Sequence, residues 1–295
     1  MDNNFTIFIL SHGRPTNVLT YKTLIDSGYT GKIHIIIDDE DKKGHEYIEI
    51  FGKENVIVFN KRTMADKIDE GNNFDNGNVV VHARNYCFEA AEKLGIDYFL
   101  QLDDDYTSFR YRYLDKYVTK GTVKNFDKLV ESMLTFYKNT SFHSIAFAQG
   151  GDFIGGASCG LISNYLYNSR KCMNSFFCST KRPFQFIGSI NEDVNTYTTL
   201  GGKGYMFLTV PFIGLEQMQT QSQSGGLTET YLAQGTYVKS FTTVLFQPSS
   251  VICAKMGFTA RRIHHRVSWK TTVPLILKET YKKQSTQQEA QNGRH

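Results

Sequence analysis

The chain has 295 residues, of which 40% are hydrophobic and 14% aromatic, enough apolar surface for one large α/β domain or two small ones. Its 33 basic and 29 acidic residues leave a formal net charge of +4, too mild to name a partner class by itself. No apolar run reaches the length of a membrane span. The five cysteines (Cys87, Cys159, Cys172, Cys178, Cys253) contain no Cys-x-x-Cys pair, which argues for free thiols in a reducing compartment and against a zinc site.

In chain order, Phe5–Leu10 reads as a buried strand running into Ser11-His12-Gly13-Arg14-Pro15. Pro15 opens a helix with Val18, Leu19, Leu24 and Ile25 on its apolar side, stopped by Gly28. A second strand, Ile33–Ile37, ends in Asp38-Asp39-Glu40-Asp41. A short helix over Lys43–Phe51 and a third strand over Glu54–Phe59 follow. This alternation predicts a parallel sheet covered by helices. Lys61–Gly77 reads as a polar loop, and Ala83–Leu94 as a helix with Arg84 and Asn85 in its first turn.

Next comes Ile96-Asp97-Tyr98-Phe99-Leu100-Gln101-Leu102, with five apolar positions in seven, the pattern of a strand buried on both faces. It ends in Asp103-Asp104-Asp105. The carboxyl end of such a strand opens on the crevice where α/β proteins bind ligands. In extended backbone Asp103 and Asp105 point to one side and Asp104 to the other. Two hard oxygen ligands on one side suit Mg²⁺ or Mn²⁺. A solvated acidic turn has the same residues, so the neighbouring segments decide.

Phe126–Tyr137 is an amphipathic helix and Ser144–Ala148 a strand. Gly150-Gly151 and Gly155-Gly156 frame a loop of close backbone approach. Lys171–Phe186 interleaves aromatic and basic residues without a clear period. Asn191-Glu192-Asp193 starts a helix, Tyr205–Val210 is a strand, Glu216–Gly226 a mobile loop, and Val244–Cys253 strand-like. From Lys255 to Lys283 there are eight Lys or Arg against one acid, Glu279. Ser285–His295 reads as disordered.

The order of these pieces (the Ser11–Pro15 loop, Asp38-Asp39 after a strand, Ala83-Arg84-Asn85 opening a helix, then Tyr98–Asp105) resembles a nucleotide-sugar glycosyltransferase of the GT-A fold over roughly residues 5–210. The resemblance implies a Rossmann-like, mostly parallel sheet with a smaller acceptor-side region. It divides a single catalytic domain, 1–283, into a nucleotide-sugar half (1–110), an acceptor half (111–254) and a basic segment (255–283). It implies that Asp103 and Asp105 hold Mn²⁺ or Mg²⁺ against the diphosphate of a UDP-sugar, with His264 or His265, preferably His265, as a further metal ligand. Ser11, Arg14, Asp39 or Asp38, Arg84, Asp104 and Arg266 would meet the donor. Asp193 would be the general base of an inverting transfer, with Gly155, Gly156, Glu192 and Arg182 toward the acceptor.

The basic tail ending in His264-His265-Arg266-Val267-Ser268-Trp269 is similar to that of phage-type glycosyltransferases associated with TET/JBP dioxygenases. That likeness implies a hydroxymethylated pyrimidine in DNA as acceptor. Basic residues would meet its phosphates, and the aromatics Phe176, Phe177, Phe184 and Phe186 an unstacked base. A glycan, lipopolysaccharide or protein acceptor is the alternative. A nucleotidyltransferase would also set paired carboxylates on a metal, but Ser11–Pro15 makes a poor phosphate loop. An inactive binding module is the non-enzymatic alternative. With no signal-peptide pattern at the start, the expected location is the cytoplasm.

Overall fold

Four strands of the first half align in parallel because each is mainly apolar and separated from the next by a helix or a long connection. In the computed structural model, which describes residues 2–71, 79–113, 118–153, 169–218, 237–256, 262–274 and 276, they are β1 (Phe5–Leu10), β2 (Ile33–Asp38), β3 (Val56–Phe59) and β4 (Tyr98–Asp103). The helices are α1 (Leu19–Asp26), α2 (Gly44–Phe51), α3 (Lys61–Ala65) and α4 (Val81–Lys93). Every residue of β1 and β2 is buried, as expected of strands covered on both faces.

These four join β5 (Tyr106–Tyr113), β6 (Val118–Thr122), β7 (Ser144–Gln149), β8 (Ser175–Ser179) and β9 (Phe207–Gln217) in a nine-stranded sheet. Its order is β3-β2-β1-β4-β8-β7-β9-β5-β6. Only β8 and β5 run against the rest, β8 antiparallel to β4 and β7, and β5 antiparallel to β9 and β6. Ile7 and Ile9 of β1 point into one apolar layer with Phe109, Phe126 of helix α5 (Phe126–Lys138) and Phe147. Phe8 and Leu10 point into the other with Phe88, Phe99, Phe176 and Phe186. Helix α6 (Glu192–Gly201) covers that second layer. A separate hairpin, β10 (Val251–Met256) and β11 (Arg262–Val267), packs against helix α7 (Val238–Phe246), and a short α8 (Trp269–Thr272) meets α6. This mostly parallel sheet with a smaller second sheet is the layout expected of the GT-A class.

Several local expectations are corrected. Val244–Phe246 is the end of α7, not a strand; only Val251 onward is extended. The supposed loop after Phe59 begins with α3, capped by the Asn60 side chain, which accepts from the Thr63 amide at 2.8 Å. Glu216 and Gln217 belong to β9, in register with Ser108 and Tyr106. The aromatic run near residue 180 is core: Phe176, Phe177, Phe184 and Phe186 are all buried, the first two in β8. Its apolar side chains are spent on the second layer and on Phe177's contacts in the first, so they are not a surface for an unstacked base. Residues 219–226 of the expected loop, the Gly155-Gly156 pair and Ser285–His295 lie outside the described residues. Among the described residues no helix is long and apolar enough to cross a membrane.

Candidate active site

The carboxyl ends of β1, β2 and β4 and the first turns of α4 and α6 converge. Asp103 closes β4 in register with Leu10 of β1, so the acids after it emerge beside Ser11–Arg14. Helix α4 is anchored there by Asn85, whose side chain donates to the Phe186 carbonyl at 2.9 Å and accepts from the Phe186 amide at 2.8 Å. Gln101 of β4 donates to the Arg84 carbonyl at 2.9 Å. These bonds fix the depth of Arg84, which is 2% exposed.

Its guanidinium spans two acidic motifs. Nη2 donates to both oxygens of Asp103, at 2.9 and 3.2 Å, and Nε donates to Glu192 at 2.8 Å. The rings of Phe176 and Phe186 flank it, at 5.1 and 5.8 Å. Arg84 therefore braces the acids from beneath, and its Nη1 is buried without a hydrogen-bond partner among the described residues.

Helix α6 is aimed by the residue before it. Asn191 adopts a left-handed backbone (φ 55°), a conformation Asn tolerates better than most side chains. Its amide donates to the Lys239 carbonyl and, at 3.0 Å, to Thr243 Oγ1, both on α7. Glu192 and Asp193 so fall in the first turn of α6, both buried. Asp193 Oδ1 accepts from the Val194 amide at 2.7 Å. Burial, then the adjacent Glu192 charge, pushes the Asp193 carboxyl up to about 6.

The three acids after β4 face different ways. Asp104 turns back toward β1, accepting from Ser11 Oγ at 2.5 Å and from Arg14 Nη2 at 2.9 Å. Ser11 also meets the Tyr47 hydroxyl at 2.8 Å. Burial raises Asp104 to about 6 despite Arg14. Asp105 accepts no hydrogen bond from another described side chain. Burial and the charges of Asp103 and Asp104 raise it to about 7.

A pocket opens beside this cluster, lined in part by Leu10, His12, Asp38, Phe59, Lys61 and Val80. Of the two candidate acids after β2, Asp38 faces it. His12 Nδ1 lies 2.6 Å from Asp38 Oδ2, and this bond raises the imidazole above its ordinary value. Burial works to raise Asp38, yet His12 and Lys61 hold it below the usual carboxylate range. Asp39 instead accepts from Asn60 at 2.6 Å and from the Lys61 amide at 3.0 Å, shaping the start of α3.

Other candidates are not brought here. Arg182 donates to the carbonyls of Thr140 and Tyr137 and stacks on the Tyr137 ring, beyond the Ser179 end of β8, which pairs with the start of β4. Arg266 is exposed on β11, opposite Ile252. His265 is buried, with Nε2 at 2.9 Å from Lys171 Nζ and its ring stacked on His264. Burial, then Lys171, drives the imidazole down to about 3. An ammonium takes the lone pair a metal would need, and among the described residues no group of three or more His, Cys, Asp or Glu gathers around a common point. Sequence reasoning passed over His12, Lys61 and Tyr47. His12 lies within the Ser11–Pro15 loop; Tyr47 and Lys61 belong to no motif.

The family described as TET-associated glycosyltransferase matches residues 5–226. No curated protein matches the chain. Among solved structures, glucosyl-3-phosphoglycerate synthase from Mycobacterium tuberculosis, in complex with Mg²⁺ and UDP, is 12% identical over 90% of each chain, with a TM-score of 0.41. TarS 1-349 from S. aureus is 8% identical over 71% of this chain and 59% of its own, with a TM-score of 0.42. The family match takes in the Ser11–Arg14 loop, Arg84, the three acids after β4 and the Glu192-Asp193 turn, and on it the chain belongs to the TET-associated glycosyltransferases.

Proposed function

We propose that this glycosyltransferase moves a sugar from a UDP-sugar to the hydroxyl of a hydroxymethylated pyrimidine in DNA. The observation that carries the reading is Asp193: a buried carboxylate raised to about 6, linked through Glu192 and Arg84 to Asp103. A group of that pKa is ionised near neutrality and still basic enough to take a proton in the transition state. The acceptor oxygen forms its bond to the anomeric carbon as the bond from that carbon to the diphosphate breaks. The hydroxyl proton passes to Asp193 and the electron pair leaves with UDP. Attack from the face opposite the leaving group inverts the anomeric centre.

The pocket beside the acids suits the nucleoside. Leu10, Phe59 and Val80 offer apolar contact to a base, and Asp38, kept ionised by His12, accepts from its N–H or from a ribose hydroxyl. Arg14 and Lys61 lie at the same rim and suit phosphate oxygens.

The acids fit a divalent cation by their charge. Burial and the charges of Asp103 and Asp104 raise Asp105 to about 7 against the opposing pull of Arg14, and such crowding is relieved by a dication. Asp103 and Asp105 would hold Mn²⁺ or Mg²⁺, which when bound neutralises charge on the departing diphosphate. His265 is not in this set.

The family's association with TET enzymes supports a DNA acceptor, as does a stretch, residues 237–276, with six Lys or Arg and no Asp or Glu. The test is nucleoside mass spectrometry after incubating hydroxymethylcytosine and hydroxymethyluracil DNA with Mn²⁺ and a panel of UDP-sugars. A sugar mass gained on one base is the expected result. Metal-dependent hydrolysis of a UDP-sugar without gain on DNA would move the acceptor to a glycan or protein.

A further inference from the structure

Helix α7 is inside out. Its fully buried positions are polar, Ser240 and Thr243, whereas Tyr237 just before it, Phe241 and Leu245 stand 56%, 46% and 79% exposed. These three are spaced four residues apart, so they form one stripe along the helix. The polar side is held in place by specific bonds. Ser240 Oγ donates to the Ile263 carbonyl at 2.9 Å, and Asn191 donates to Thr243 Oγ1 at 3.0 Å. The helix is thus locked with its apolar side outward, an arrangement that leaves large apolar side chains in water unless something covers them.

The surrounding charge narrows what that is. Among the described residues from Tyr237 to Ile276 whose side chains are placed, Lys239, Lys255, Arg266 and Lys270 are basic and none is acidic. Arg266 is exposed on β11, across from Ile252, itself 48% exposed. The same helix abuts the candidate base: the Lys239 carbonyl and Thr243 hold Asn191, two residues before Asp193. An apolar, aromatic stripe on a helix joined to the catalytic turn, backed by a basic hairpin, matches a polyanion whose flat bases have left their stack.

We propose that the Tyr237–Phe241–Leu245 stripe of α7 is the seat of the DNA strand flanking the acceptor base. Its aromatic side chains take the faces of neighbouring unstacked bases, and the acid-free hairpin behind it, with Arg266, follows the phosphates. This rests on the DNA-acceptor reading above. It adds where the strand lies and how the target is kept out of the stack, the energy of unstacking being returned in part by these rings.

The experiment uses the full chain and fluorescence anisotropy with a short single-stranded oligonucleotide carrying hydroxymethylcytosine, alongside sedimentation of the free protein. Phe241→Ala and Tyr237→Ala are each expected to weaken binding about tenfold, the usual loss for one stacked base. Arg266→Glu is expected to weaken it too and to flatten its salt dependence, as loss of a phosphate contact does. Because Phe241 and Tyr237 are about half exposed, melting temperatures and the thermal shift with UDP and Mn²⁺ serve as fold controls. Wild-type binding that is unchanged in all three variants overturns the seat while leaving the DNA acceptor standing. A wild-type dimer that Leu245→Ser breaks, with DNA affinity unaltered, also overturns it, since a second copy then covers the stripe. No binding or transfer by the wild type on any DNA overturns the acceptor reading itself, and the seat with it.

Discussion

Arg84 donates to Glu192 at 2.8 Å across 108 positions of sequence, joining the first turns of α4 and α6. The same guanidinium holds Asp103, so one buried cation sets the spacing between the two acidic motifs. Removing it strands two carboxylates in the interior. Arg84→Met is expected to destabilise the protein by about 3–5 kcal/mol in urea unfolding near neutral pH. Glu192→Gln in the same chain should recover part of the loss, because one stranded charge is gone. Arg84→Lys, which keeps the charge but loses the fork, falls between.

The raised carboxyls predict how pH and cation act together. Asp104 and Asp105 titrate at about 6 and about 7 in the folded chain, above the value of about 3.9 for an unfolded Asp. Between those values the folded state binds more protons than the unfolded one, so stability falls as pH rises from about 4 through 7. A cation on Asp103 and Asp105 takes over the proton's role. Mn²⁺ should therefore raise the melting temperature clearly at about pH 7.5 and little at about pH 5. Equal shifts at both would count against these ligands.

Asp193→Asn removes the proposed proton acceptor while keeping the shape of the α6 turn. Transfer is expected to fall by about two to four orders of magnitude. The thermal shift with UDP and Mn²⁺ should persist. In the wild type kcat/KM should drop below about pH 6, where Asp193 takes up its proton. Transfer retained by the Asn variant would remove Asp193 from the mechanism.

The pocket separates two neighbouring acids. Asp38 faces it and Asp39 does not. Asp38→Asn should weaken UDP binding by about 10- to 100-fold, the range for a hydrogen bond to a charged group, as read by calorimetry. Asp39→Asn should leave UDP affinity little changed and act on the start of α3 instead.

Much of the fold could be read from local chemistry. Apolar runs ending in acids marked β1, β2 and β4, and their alternation with helices implied the parallel half-sheet. The 3.6-residue period marked α4 and α5. What escaped were strands made by pairing: β5, β6 and β11 are polar or mixed, and their partners lie far away in sequence or across a loop. The Phe176–Phe186 run showed the opposite failure. Its aromatic and basic residues suggested a ligand surface, but the sheet turned the rings inward and sent Arg182 to the other end.

In the site, the sequence by itself determined which residue types stand at the strand ends: Asp38 and Asp39, Asp103 to Asp105, and Glu192-Asp193. Their roles depended on direction, which one-dimensional order does not carry. Asp38 faces a cavity and Asp39 the start of α3 because the chain turns after Asp38, where β2 ends. Arg84 became a buried brace instead of a surface phosphate contact because Gln101 ties the start of α4 to β4 and Asn85 ties it to Phe186. His265 met a lysine because hairpin pairing puts it beside Lys171, which lies 94 positions away. Side-chain chemistry is local, whereas partnership is a matter of distances that only the closed sheet and its packed helices impose.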